Sequence, residues 1–262
     1  MGLFRRRTAT PDEAPPRRYD ESTPVGTEIH GLEKRYGEKR VLTGVELTVQ
    51  AGETVVIIGG SGHGKSVLLR HIIGLETPDA GTVLVGGLPS IDPEMRARYR
   101  IAMIFQSSAL FNSMSVGDNI GLWLVEHHIF RTSGEVAAVV QRCLAMVGLD
   151  DAAALMPSTL SGGMKKRVAI ARALAMNPDL ILYDEPTSEL DPLVSDTIGK
   201  VIVDLKQRLR LTSIIVSHDL RLAFAIADRV AMIHDGRIIA EGTPDAIRAH
   251  PDPLVRRFIA RA

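Results

Sequence analysis

The segment Gly59-Gly60-Ser61-Gly62-His63-Gly64-Lys65-Ser66 has the spacing GxxxxGK[ST], and that spacing has a mechanism. Glycines let successive backbone N–H groups turn inward onto phosphate oxygens, where side chains would block both the turn and the approach. Lys65 brings a compact positive charge to the outer phosphates, and Ser66 offers a hydroxyl to Mg²⁺. A glycine-rich strand-to-helix turn without a ligand is the plainer reading, but the flanks favour phosphate: an apolar run precedes the glycines and a helical pattern follows Lys65. Further on, Leu180-Ile181-Leu182-Tyr183-Asp184-Glu185 delivers two adjacent carboxylates at the end of an apolar run. Asp184 suits a Mg²⁺ shell, directly or through water, and Glu185 suits polarisation of an attacking water. Either carboxylate alone could be a helix N-cap; beside a phosphate loop, the pair reads as phosphoryl-transfer chemistry. His218 follows the apolar run Ile214 to Ser217 and so sits at another strand end.

The carboxylates stand at the C-terminal end of their strand, which is the ligand edge of a parallel sheet. The sequence supplies one. Thr27 to Leu32, Val45 to Val49 and Thr54 to Ile58 read as strands, the last with the continuous apolar character of a strand buried on both faces. A helix is predicted over Lys65 to Ile73, then strands at Thr82 to Val85 and Ile101 to Phe105. From Ser113 to Pro157 the β signal vanishes, and helices around Val116 to Ile129 and Glu135 to Val147 form an insertion. Alternation then resumes: helix Gly162 to Ala175, strand Leu180 to Tyr183, helix Leu193 to Leu209, strand Ser213 to Val216, helix Leu220 to Ala227, and a hairpin turning at Asp235-Gly236. A helical tail runs from Pro244 to the end.

Composition narrows the classes. The chain has 262 residues, 45 % of them hydrophobic, with 31 basic and 31 acidic residues, so no global charge points to nucleic acid. The single Cys143 excludes an internal disulfide framework and reads as a buried packing residue in a reducing compartment. No apolar stretch approaches the ~18 residues needed to cross a bilayer, and no apolar segment follows the N-terminal arginines. Met1 to Gly26, rich in Pro, Arg and acidic residues, is expected to be a flexible tail. Its Arg5, Arg6 and Arg7 read as solvated, with anionic lipid headgroups the alternative contact, and Arg6 stands where myristoylation of Gly2 would need a hydroxyl residue.

Leu160-Ser161-Gly162-Gly163-Met164-Lys165-Lys166-Arg167 resembles the signature sequence of ATP-binding cassette (ABC) proteins. Alone it fits a plain N-capped helix equally well. Around it, however, Gln106, Ser188-Glu189-Leu190-Asp191 and His218 resemble that family's Q-loop, D-loop and switch histidine, in family order. Tyr36 resembles the aromatic that stacks on adenine, an ordinary core tyrosine being the other reading. The similarity runs from Thr27 to Thr243. It implies an α/β P-loop NTPase of ABC type, with a mostly parallel core sheet, an antiparallel N-terminal β subdomain and an inserted helical subdomain at about residues 113–158. The ABC domain is placed at 27–245 and a C-terminal helical extension at 246–262.

The resemblance further implies an ATPase using ATP and Mg²⁺, working as a head-to-tail dimer. Gly59, Gly60, Ser61, Gly62, His63, Gly64, Lys65, Ser66 and Val67 would hold one ATP, completed by Ser161, Gly162, Gly163, Met164 and Asp191. Ser66, Gln106 and Asp184 would serve Mg²⁺, while Glu185, Gln106 and His218 would serve hydrolysis. Glu189 departs from the glycine usual in the D-loop, and Met164 from the glutamine frequent in the signature. Phe105 to Phe111, the Met-containing signature and the tail His250 to Phe258 resemble ATPase subunits of mammalian-cell-entry (MCE) lipid transporters. That likeness implies permease partners, an MCE-domain protein and a small STAS-domain regulator at the cytoplasmic face of the inner membrane, with membrane contact only through the permease. Other ABC importers or exporters, and soluble ABC ATPases, are the alternatives.

Overall fold

The computed structural model describes Tyr19 and residues 21–260. The arginines at 5–7 and Gly2 lie outside the described residues.

Two sheets share one body. The first is antiparallel, in the order β2 (Lys39–Val49), β1 (Thr27–Tyr36), β4 (Ala80–Val85), β5 (Leu88–Pro89). The second has the order β10 (Arg237–Gly242), β9 (Arg229–His234), β3 (Thr54–Ile58), β8 (Thr212–Ser217), β7 (Leu180–Asp184), β6 (Ile101–Ile104). All its neighbours are parallel except the hairpin partner β10. β3 explains why an all-apolar run is a strand here. Val55 and Ile57 enter the core shared with the antiparallel sheet, while Val56 and Ile58 enter the core shared with the helices, so period-two alternation is hidden by burial on both faces.

α1 (Lys65–Ile72) follows β3 directly, and α5 (Gly162–Ala175) precedes β7. Between β6 and α5 lie α3 (Val116–Glu126) and α4 (Ser133–Met146), each opened by a capping box: Ser115 with Asp118, and Thr132 with Glu135. Buried Asn119 ties the approach to α3, accepting from Phe111 N at 2.8 Å and donating to Phe111 O at 3.0 Å. α6 (Pro192–Leu209) and α7 (Leu220–Ile226) connect the last parallel strands. The C-terminal tail forms α8 (Pro244–Arg248) and α9 (Pro253–Ile259).

Three features differ from the sequence reading. β1 and β2 extend through residues 33–36 and 39–44, because ladder pairing such as Arg35 with Arg40 and Tyr36 with Lys39 overrides the weak strand propensity of the charged residues 33–35 and 39–40. The short α2 (Pro93–Arg98) was not anticipated, although its Asp92 cap and Pro at the first turn were visible signals. Residues 21–26, placed by composition in a flexible tail, are docked: Thr23 N donates to Asp179 Oδ1 at 2.8 Å, Ser22 Oγ to Pro178 O at 2.8 Å, and Val25 is buried. Tyr19 joins them, donating to Ala175 O at 2.7 Å. Two or three anchors suffice where composition alone predicts none.

Candidate active site

β3 ends where the glycines begin, at the carboxyl edge of the parallel sheet. Gly59 adopts φ 156°, and a Cβ there would lie 2.4 Å from Ile233 O on β9. Gly64, the N-cap of α1, has φ 96°, and a Cβ would lie 2.6 Å from Leu42 Cδ2 and 2.9 Å from Val41 O. Close backbone approach and left-handed geometry thus both demand glycine at position 64. The turn so formed aims the start of α1 into a cavity of about 460 Å³ lined by Ser61, Gly62, Gly64, Lys65, Ser66, Val67, Gln106, Glu185 and His218, with Lys39 and Val41 on its rim. A larger cavity, about 840 Å³, lies elsewhere, between α4 and Tyr19, and contains no residue of the phosphate loop. Size does not locate the chemistry here.

Two groups of contacts form at the smaller cavity, one around Glu185 and one between Ser66 and Asp184. Lys65, buried, donates to Gly59 O at 2.9 Å and Gly60 O at 3.1 Å, and pairs with Glu185 Oε1 at 3.3 Å. The other Glu185 oxygen, Oε2, lies 2.7 Å from His218 Nδ1 and accepts from His218 N at 3.1 Å. Both oxygens are therefore oriented. Glu185 itself sits at φ 50°, a left-handed conformation rare for a side-chain-bearing residue, while its N–H still donates to Val216 O at 3.0 Å. Ser66 Oγ donates to Asp184 Oδ1 at 2.7 Å. Burial pushes the Asp184 carboxyl above its ordinary range, against the lowering pull of the Ser66 bond, and the neighbouring Glu185 adds to the rise. A pair of oxygen ligands, half-buried Ser66 and buried Asp184, fits a hard cation such as Mg²⁺.

Other sequence-predicted residues stand apart from this cavity. Ser161 caps α5, its Oγ accepting from Met164 N at 3.3 Å. Ser161 and Gly162 are exposed, Gly163 is buried, and none of 161–164 lines the cavity. Asp191 caps α6 through Leu193 N and Val194 N, both at 3.1 Å. Tyr36 is neither in the core nor in the cavity: it is half-exposed at the end of β1, and its hydroxyl donates to the Glu76 carboxylate. His63 turns away from the cavity to accept from Asp235 N at 2.9 Å and stack on His234, ring centroids 4.7 Å apart.

The profile of the ABC transporter family matches residues 42–188. The chain belongs to that family. It is 41 % identical over 227 residues to the intermembrane phospholipid transport system ATP-binding protein MlaF of Escherichia coli, covering 85 % of this chain and 84 % of that protein. It is 36 % identical over 250 residues to the probable ribonucleotide transport ATP-binding protein mkl of Mycobacterium tuberculosis, covering 93 % of this chain and 69 % of the relative. Among solved structures, the dimeric ATP-binding cassette MJ0796 bound to ADP and Pi aligns with a TM-score of 0.74 at 31 % identity, over 83 % of this chain and 98 % of that one. The chain is thus an ATP-binding, ATP-hydrolysing subunit of an ABC transporter, α/β in fold with a mostly parallel core sheet. No helix among the described residues is long and apolar enough to cross a membrane.

Sequence reasoning passed over one side chain at the heart of this ABC subunit. Lys166 is buried and donates to Gln106 O, to Ser188 Oγ at 3.2 Å and to Glu185 O at 3.4 Å. Its helical spacing from Gly163 and Ile170 put it on the buried face of α5, which was the available signal. Desolvation lowers its pKa, opposed by the charges of Glu189, Glu185 and Asp184.

Proposed function

We propose that this ATPase powers an MCE-type lipid transporter at the cytoplasmic face of the inner membrane, gripping ATP between two copies of itself. The supporting observation is the reach of the 41 % identity, across 85 % of this chain and 84 % of the phospholipid-transport relative, well beyond the nucleotide motifs. A second reading has its own support: the sulfate/thiosulfate import ATP-binding protein CysA of Bordetella bronchiseptica is 40 % identical over 90 % of this chain, though over only 67 % of its own length. An importer of small anions is therefore the alternative.

In this reading, backbone N–H groups of Gly59 to Gly64 and the start of α1 bind the phosphates. Lys65 exchanges its contact with Glu185 for the γ-phosphate, since its other two protons already serve Gly59 O and Gly60 O. That exchange frees Glu185 Oε1 to polarise the attacking water, while His218 keeps hold of Oε2. Ser66, Asp184 and Gln106 would hold Mg²⁺, which supplies neutralisation of developing phosphate charge. Tyr36 would meet adenine. The second copy would bring Ser161, Gly162, Gly163, Met164 and Asp191 to the γ-phosphate side, the exposed start of α5 presenting N–H donors and a favourable dipole. Partners in this reading are permease subunits, an MCE-domain lipid-binding protein and a STAS-domain regulator, with no nucleic acid.

Affinity purification of the tagged chain from detergent-solubilised membranes tests it. Recovery with a multispanning permease and an MCE-domain protein is expected; recovery with a solute-binding-protein-dependent importer transfers the assignment to the second reading, and recovery with ribosomes or DNA removes transport altogether.

A further inference from the structure

Two cations of α5 grip the backbone that carries Gln106. Lys166 donates to Gln106 O, and six positions later Arg172 donates from Nη1 to Ala109 O at 2.7 Å and from Nη2 to Ser108 O at 3.0 Å. The gripped segment is one that the chain does not hold unaided. Ser108 and Ala109 are adjacent, neither is glycine, and both lie in the left-handed region at φ 63° and 47°. One turn-like bond, Ser108 N to Phe105 O at 2.9 Å, accompanies them. A buried ammonium and a half-buried guanidinium each need carbonyl partners, and the strained loop offers three within four residues. Each solves the other's problem.

The grip extends beyond the loop. The same Lys166 ammonium reaches Glu185 O and Ser188 Oγ, and Ser188 Oγ donates in turn to Glu185 O at 2.9 Å. One buried nitrogen therefore touches the Gln106 loop, the backbone of the carboxylate that polarises water, and the loop that follows it. Glu189 lies in that last loop at φ 64°, and its carboxylate charge acts on the same ammonium.

We infer that Lys166 and Arg172 are positioning residues for ATP hydrolysis, clamping the Gln106 and Glu185 backbones to the helix whose first turn carries Ser161, Gly162 and Gly163. This rests on the roles given above to Gln106 and Glu185. A contact made at the start of α5 by a second copy then moves the water-side groups of the same chain as one piece. The hydrogen bonds of the clamp reach no residue of the phosphate loop. Their removal should spare ATP affinity and spoil turnover.

The test uses the full chain with Lys166→Met, Arg172→Met and the conservative Arg172→Lys, each read by steady-state hydrolysis, by affinity for a fluorescent ATP analogue, and by amide hydrogen exchange. The two Met variants should lose about tenfold to a hundredfold in kcat with analogue Kd changed less than about twofold, and exchange at residues 106–110 should speed up at least about tenfold while 54–66 keeps wild-type protection. Arg172→Lys should recover most of both losses. Wild-type exchange at 106–110 in the folded Met variants, or faster exchange spread evenly over the chain, overturns the clamp. If Lys166→Met fails to fold, Lys166→Gln and Arg172→Met decide by the same readouts. Glu185→Gln serves as the control: wild-type hydrolysis in that variant defeats the active-site reading, while the exchange pattern still judges the clamp separately.

Discussion

The molecule has two glycine-rich helix starts, and they use glycine for different reasons. At the start of α1, Gly59 and Gly64 take positive φ and lie where a Cβ would strike backbone carbonyls of β9 and β2, Ile233 O and Val41 O. At the start of α5, neither Gly162 nor Gly163 takes a left-handed φ; instead a Cβ on Gly163 would lie 2.4 Å from Val194 Cγ1, and one on Gly162 3.3 Å from Leu190 Cδ2. The first turn is built around a ligand-shaped backbone. The second is built around close packing of one helix on another, with Ser161 as an ordinary cap. The α1 turn also has its chemistry gathered around it within one chain, whereas the α5 turn faces outward and lines no part of that cavity. Similar letters thus encode a turn that lines a cavity and a turn that seats one helix on another.

The comparison is sharpened most by Glu185→Gln. This change acts only on the water-side chemistry at the α1 turn and should cut kcat by about a hundredfold to ten-thousandfold, while ATP-dependent dimerisation, followed by size-exclusion chromatography, persists. Loss of dimerisation with turnover intact would break the division of labour. Next in size, Gly64→Ala should cost about 3 kcal/mol and should not be rescued by trimming Leu42, because Val41 O is backbone and cannot move aside. Gly163→Ala should cost about 2 kcal/mol, and there Val194→Ala in the same chain should restore much of it, since the obstacle is a side chain. Denaturant titration of the four variants reads both outcomes; equal rescue at the two turns would erase the distinction drawn between them.

Smaller effects probe the buried charge of the α1 half. Asp184 is desolvated and its carboxyl is raised, so ionising it in the nucleotide-free protein is a cost to the fold. Asp184→Asn should raise Tm by about 2–4 °C, roughly 1 kcal/mol, while abolishing hydrolysis. An unchanged or lower Tm in calorimetry would mean that its bond from Ser66 outweighs desolvation. Cys143, on α4 beside the core that α5 joins, is a reporter for the other half: burial pushes its thiol up to about 11, so maleimide labelling of the native protein should be slow and should quicken by less than about tenfold in Gly163→Ala. Rapid labelling of the native wild type would contradict its burial.

Much of this arrangement was legible in the chain. The strand Thr54–Ile58 and the helix Gly162–Ala175 fall where periodicity and capping put them, because apolar runs and Ser-Gly starts are local signals. Lys65, Ser66, Glu185, Gln106 and His218, separated by up to 153 residues between 65 and 218, arrive at one cavity, with Asp184 bonded to Ser66 beside it, because each ends or follows a parallel strand on the same sheet edge. Other placements were not legible. Tyr36 ends half-exposed against Glu76, and His63 leaves the phosphate loop for Asp235 and His234, contacts that span 40 and more than 170 residues.

By itself the sequence determined the groups available: a glycine-rich turn ending in Lys65 and Ser66, the adjacent carboxylates Asp184 and Glu185, and His218, each tied to a local element by spacing and composition. Only the tertiary structure decided how these groups are held. It alone paired Glu185 with both Lys65 and His218, docked residues 21–26 onto Asp179, buried Lys166, and set Arg172 against the strained loop. The physical reason is the reach of the interactions. Backbone preference and hydrophobic period act over a few neighbours and are written along the chain, whereas burial of a charge acquires its partners from segments that meet only when the sheet and helices have closed on one another.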